Sequence, residues 1–80
     1  MMKVESIVRV TMNDHQKASA VLEALKHEEE FKKRAISNIK LEKNTIIINI
    51  IGEDVVAVRA ALNAYLRDLQ VFDGINTIEV

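Results

Sequence analysis

The chain has no cysteine, no proline and no tryptophan, and it carries only two glycines, one tyrosine and two phenylalanines. Each shortage removes a class of function. Without cysteine there is no disulfide and no thiolate metal site, a composition that suits a reducing cytosol. Gly52 and Gly74 are the only glycines, so no glycine-rich phosphate loop can be built. Phe31, Tyr65 and Phe72 are too few and too dispersed for a base-stacking platform. Nothing approaches the roughly 20 consecutive apolar residues that span a bilayer, and the amino terminus has no secretory signal pattern. Neither sign of charge dominates. Eleven Lys and Arg stand against twelve Asp and Glu, so the chain has no global attraction to nucleic acid or to an anionic membrane. The expectation is a cytoplasmic chain forming one domain over residues 1–80.

What the chain does have is apolar content, 49% of its residues. A small domain buries a lower share of its surface than a large one, so part of that content is expected at an interface. The pattern divides into elements. Lys3 to Met12 alternates, with Val4, Ser6, Val8, Val10 and Met12 facing one way and Lys3, Glu5, Ile7, Arg9 and Thr11 the other. Asn13 or Asp14 then offers a helix cap, Asn13 with Gln16 suggesting a capping box. The helix that follows runs to about Glu30, with Ala18, Val21, Leu22 and Leu25 as its core stripe and Ala20 and Ala24 as a small-residue strip.

Ala35 to Glu42 reads as a second strand and Thr45 to Ile51 as a third, joined by a Lys43-Asn44 turn in which asparagine takes the positive φ. Ile46, Ile48 and Ile50 share one face; Ile47, Asn49 and Ile51 share the other. Gly52 ends the strand and Asp54 caps a second helix. On that helix Val55, Val58, Leu62, Tyr65, Leu66 and Leu69 form one broad stripe, expected to face the core. Ala57, Ala60, Ala61 and Ala64 fall nearly opposite and are expected to face outward, open to close approach by another helix. Residues 70–80 read as a loosely ordered tail with a short turn and a weak edge strand. The expected fold is α+β: a three-stranded antiparallel sheet with both helices on one face, in the order β-α-β-β-α. The other face carries Ile7, Ile36, Ile47 and Ile51, for which a second copy of the chain is the simplest cover.

Chemistry is sparse. Ser6, Ser19 and Ser37 lie in periodic elements, with no nucleophile turn around them. His27 precedes three glutamates but lacks the second histidine of a zinc helix. No catalytic residue, metal ligand, cofactor or small-molecule substrate is expected, and no enzyme. Two polar groups remain. Lys32, Lys33 and Arg34 form the densest basic run, either a solvated loop or a phosphate-contacting patch. Arg59, Asn63 and Arg67, spaced by four, line one side of the second helix, either as a solvent flank or as directional donors to a partner.

The stretch from Asp54 to Arg67, an acidic residue opening a helix with Arg59-Ala60 and Asn63 at its core, resembles the second-helix signature of the small dimerising subunit of the KEOPS complex, the CTAG/Pcc family. The Ile50-Ile51-Gly52-Glu53-Asp54 junction and the helix from Ala18 to Glu28 also fit, so the resemblance covers residues 4 to 70. Two positions depart from the pattern: Lys26-His27-Glu28 lacks the proline common before the glutamate, and Gly52 replaces a commoner alanine. The resemblance implies a homodimeric, non-catalytic scaffold that docks the KEOPS transferase subunit and assists threonylcarbamoyl transfer to adenosine 37 of tRNA. On that basis Ala20, Ala24, Ala57, Ala60, Ala61 and Ala64 would form the docking face with Arg59 and Asn63. Lys32, Lys33, Arg34, Arg59 and Arg67 would be candidate tRNA contacts. Ile7, Ile36, Ile47 and Ile51 would form the dimer face. The alternatives are a stand-alone RNA-binding module, against which the missing Gly-x-x-Gly loop argues, and a dimeric ligand-binding regulatory domain, whose glycine-rich ligand loop is also absent.

Overall fold

A computed structural model describes residues 3–26 and 34–80. The elements are β1 (Val4–Met12), α1 (His15–Leu25), β2 (Ala35–Glu42), β3 (Thr45–Gly52), α2 (Val55–Leu69) and β4 (Ile75–Glu79). The strands form one antiparallel sheet in the order β2-β3-β1-β4. The sheet therefore has four strands, where three are expected from the sequence.

The added strand comes from the tail. Gly74 has φ of 85°, a conformation that side chains rarely adopt, and its carbonyl accepts from the Asn13 amide at 2.8 Å. That turn lays Ile75–Glu79 along β1, covering backbone groups that β1 would otherwise leave unpaired. Asn76 is skipped in the register between Thr11 and Met12, so the strand carries a bulge and its alternation is broken. Phe72 and Ile75 rest against the core.

Alternation dictates the layers. Val8, Val10, Met12, Ile46, Ile48 and Ile50 point to one side of the sheet and are almost wholly buried beneath the helices. Each such aliphatic side chain contributes about 1.5–3 kcal/mol on burial. Ala18, Val21 and Leu25 of α1 and Ala57, Val58, Ala61, Tyr65 and Leu69 of α2 complete the core.

Asp14 caps α1 by accepting from the Lys17 amide, and Asp54 caps α2 by accepting from the Ala57 amide, each at 2.8 Å. The Asn13–Gln16 capping box does not form, because the Asn13 amide is spent on Gly74. The expected continuation of α1 to Glu30 lies outside the described residues. In the β2–β3 turn it is Lys43, at φ 57°, that takes the left-handed conformation, and not Asn44. The asparagine has other work: its side-chain amide donates to the Met12 carbonyl at 3.0 Å, and its own carbonyl accepts from the Met12 amide. The His15 ring nitrogen bonds the Lys43 carbonyl at 2.6 Å. These contacts hold the turn against the start of α1 and offset the roughly 1–3 kcal/mol of strain at a non-glycine residue there.

Candidate docking and dimer surfaces

Val58, Tyr65 and Leu69 of the expected stripe face the sheet, but the buried arc of α2 is rotated from it toward the alanines. Buried residues are Ala57, Val58, Ala61, Ala64, Tyr65 and Leu69, with Leu62 and Leu66 half-buried at one margin. Val55 is exposed. Three of the four alanines therefore turn inward, and only Ala60 faces out. The cause is how closely the helix approaches the sheet. A Cβ built on Gly52 would lie 2.8 Å from Val58 Cγ2 and 3.4 Å from Ala57 Cβ, so the first turn of α2 sits almost on the end of β3. Small residues are what that gap admits. α1 lies on the same alanine side of α2, since Ala24 shares a groove with Arg67 and Asp68. The close approach of a second helix that the alanines permit is thus met partly inside the fold.

What remains on the outer helical surface is a smaller patch. Ala20 and Ala24 are exposed on α1, and Arg59, Ala60, Asn63 and Arg67 are exposed on α2. At 100° per residue Arg59, Ala60, Asn63 and Arg67 share one stripe that includes Val56, an apolar residue 66% exposed. The groove between the carboxyl-terminal ends of the helices is lined by Ala24, Arg67, Asp68, Val71 and Phe72. The sequence places Val71 and Phe72 in the tail, and a Val-Phe pair directly after an amphipathic helix is the signal that ties them to this surface.

The opposite side of the molecule is the helix-free face of the sheet. Ile7, Ile36, Ile47 and Ile51 all lie there, and Ile36 and Ile51 are direct partners across β2 and β3. Ile36 is the most exposed of them at 76%. The register intersperses polar residues among them: Ile7 is opposite Asn49, Asn49 is opposite Asn38, and Ile47 lies between Arg9 and Lys40. Asn49 Oδ1 is buried and has no hydrogen-bond partner within the chain, a costly condition for an amide oxygen unless a donor reaches it from outside. Arg9, Asn38, Lys40 and Asn49 were not singled out from the sequence, although their odd or even positions in each strand already set them on this face.

Of the basic run, Lys32 and Lys33 lie outside the described residues. Arg34 reaches Glu53 at 3.5 Å and also pairs with Asp54, the cap of α2. Its charge is therefore largely offset locally, and an exposed pair of this kind is worth about 0–1 kcal/mol. Arg34 ties the start of β2 to the start of α2, a link strengthened by the Glu53 amide donating to the Arg34 carbonyl. Among the described residues no group of three or more His, Cys, Asp or Glu side chains could hold a metal, and no helix is long and apolar enough to cross a membrane.

Comparison with known proteins agrees with this architecture. The chain matches the Pcc1 family, described as transcription factor Pcc1, over residues 5–76. No curated protein matches it. Among solved structures it is similar to a de novo designed protein, Foldit4, at a TM-score of 0.74 and 13% identity, over 98% of this chain and 92% of that one. A likeness at that identity shows the fold alone.

Proposed function

The chain belongs to the Pcc1 family, the family of a KEOPS subunit, and from that premise we propose that it is a non-catalytic, homodimeric scaffold. In this reading it docks the KEOPS transferase subunit and assists threonylcarbamoyl transfer to adenosine 37 of tRNA. One observation carries the reading. The fold is two layers thick, with an apolar surface left uncovered on each outer side: isoleucines on the open sheet, and alanines with a valine on the helices. A two-layer domain with both sides unpartnered suits a connector between proteins.

The division of labour follows from chemistry. The open sheet face, carrying four isoleucines, suits a second copy. The helical face keeps Ala20, Ala24 and Ala60 as sites of close approach, beside Arg59 and Asn63 as directional donors, and suits the helices of the transferase. Ala57, Ala61 and Ala64 support that face from beneath and do not touch the partner. Any tRNA contact rests on Arg59 and Arg67, with Lys32 and Lys33 as further candidates. Arg34 is occupied by its carboxylates.

Co-purification with the transferase subunit is the direct test. The wild-type chain should be retained, and Ala60→Arg should lose retention while keeping its helical circular dichroism. Retention of the substituted chain would remove the helical face from consideration. For tRNA, Arg59→Glu with Arg67→Glu should lower retention by the assembled complex, most visibly at low salt. Unchanged retention would assign the role elsewhere.

A further inference from the structure

The turn between α2 and β4 holds the dipeptide best placed to rearrange its own backbone. Of the two glycines, Gly52 follows an isoleucine and Gly74 follows an aspartate. Asp73 is exposed, and among the described residues its carboxylate makes no hydrogen bond or ion pair. The Gly74 amide donates to no acceptor among them either. Glycine is required there for its backbone: φ is 85°, where other residues are strained, and the Lys17 stem lies 2.7 Å from where a Cβ would stand. We propose that Asp73–Gly74 is a modification site, at which the peptide bond isomerises through a cyclic imide and releases the edge strand β4.

The atoms of the step balance. The Gly74 amide nitrogen attacks Cγ of the Asp73 carboxyl in its acid form. A nitrogen–Cγ bond forms, the Cγ–hydroxyl bond breaks, and the hydroxyl leaves as water with the amide proton. Water then adds to one of the two imide carbonyls. Addition at Cγ restores aspartate. Addition at the main-chain carbonyl breaks its bond to the Gly74 nitrogen, leaves a free α-carboxylate and routes the backbone through the side-chain methylene. Nothing is oxidised or reduced. Glycine favours the attack because no Cβ crowds its nitrogen and its backbone turns freely. The other aspartates are held away from it. Asp14 and Asp54 accept from the helix amides they cap, and Asp68 is fixed within α2 before Leu69.

The consequence falls on β4. The Gly74 carbonyl accepts from the Asn13 amide at 2.8 Å, and that bond sets where Ile75 enters the ladder against Met12. An isoaspartate lengthens the main chain by one carbon, about 1.5 Å, just before this anchor. β4 has little else to hold it. Its one paired neighbour is β1, four of its five residues are exposed, and the bulge at Asn76 interrupts the ladder. Ile75 alone of its residues rests against the core. Such a strand opens well before the sheet as a whole. Its departure uncovers the outer edge of β1 from Arg9 to Met12, whose backbone groups then face solvent or another strand. β1 keeps its ladder with β3 from Val4 to Thr11, so the rest of the sheet stays folded.

Ageing the purified chain at body temperature in mildly acidic buffer tests the site, with an isoaspartyl methyltransferase and labelled S-adenosylmethionine as the probe. Label should enter the tryptic peptide that follows Arg67, and fragmentation should place it at residue 73. Asp73→Glu should lose that label, because a glutamate closes only the slower six-membered ring. The isomerised chain, separated by chromatography, should lose hydrogen-exchange protection at Ile75–Glu79 while β3 keeps its own. Aged Asp73→Glu should keep both. An aged wild type without label, or label undiminished in Asp73→Glu, overturns the site. An isomerised chain whose β4 amides stay as protected as before overturns the release of the strand.

Discussion

The two faces of strand β3 carry nearly the same residues and meet opposite fates. Ile46, Ile48 and Ile50 are wholly buried beneath the helices. Ile47 and Ile51, one residue along, stand on the uncovered face with Asn49 between them. The side chains are the same, so the difference lies in what covers them. On the covered face isoleucine follows isoleucine. On the open face the alternation admits Asn38, Lys40 and Arg9 around the isoleucines. A core needs only volume and shape, whereas a surface that must stay dissolved alone and still recognise one partner needs polar residues to set the register.

That contrast can be broken at several strengths. The largest effect is expected on the covered face, where Ile48→Ala should cost about 2–5 kcal/mol of stability, read by denaturant unfolding. Ile47→Ala should cost far less in the isolated chain and appear chiefly as weaker self-association. Equal losses at the two positions would mean that the faces are not different in kind. Next comes α2, where Ala61→Leu should cost about 1–3 kcal/mol by overfilling the space above the sheet. Ala60→Leu, one residue away and exposed, should change stability by less than about 0.5 kcal/mol. Removing the cap with Asp54→Ala should cost about 1 kcal/mol and also free Arg34 from one of its two carboxylates.

The alanine pair shows where sequence reading ran out. Alternation in β1, β2 and β3 was enough to assign every residue to a face, because a period of two leaves no ambiguity. α2 carries two opposed apolar arcs, and a helical wheel cannot say which one meets the sheet. Bulk suggested Val55, Val58, Leu62, Tyr65, Leu66 and Leu69, of which Val58, Tyr65 and Leu69 are buried and Leu62 and Leu66 lie at the margin. Distance decided for Ala57, Ala61 and Ala64, and the signal for it was Gly52, whose missing side chain admits Val58. β4 is legible only as a weak edge strand within the tail, left out of the expected sheet for a related reason. Ile75-Asn76-Thr77-Ile78 breaks period two at the bulge, and a five-residue edge strand has little pattern to read. The outer helical surface is legible only in part: Arg59, Asn63 and Ala60 stay exposed as expected, while Val71 and Phe72 join the groove from the tail.

The central proposal is that two copies meet on the open sheet face. Sedimentation equilibrium on the wild-type chain and on an Ile7→Asp, Ile51→Asp variant tests it most directly. A wild-type dimer at micromolar concentration and a monomeric variant with unchanged helical circular dichroism are expected. A monomeric wild type, or a variant that still forms the dimer, would contradict it.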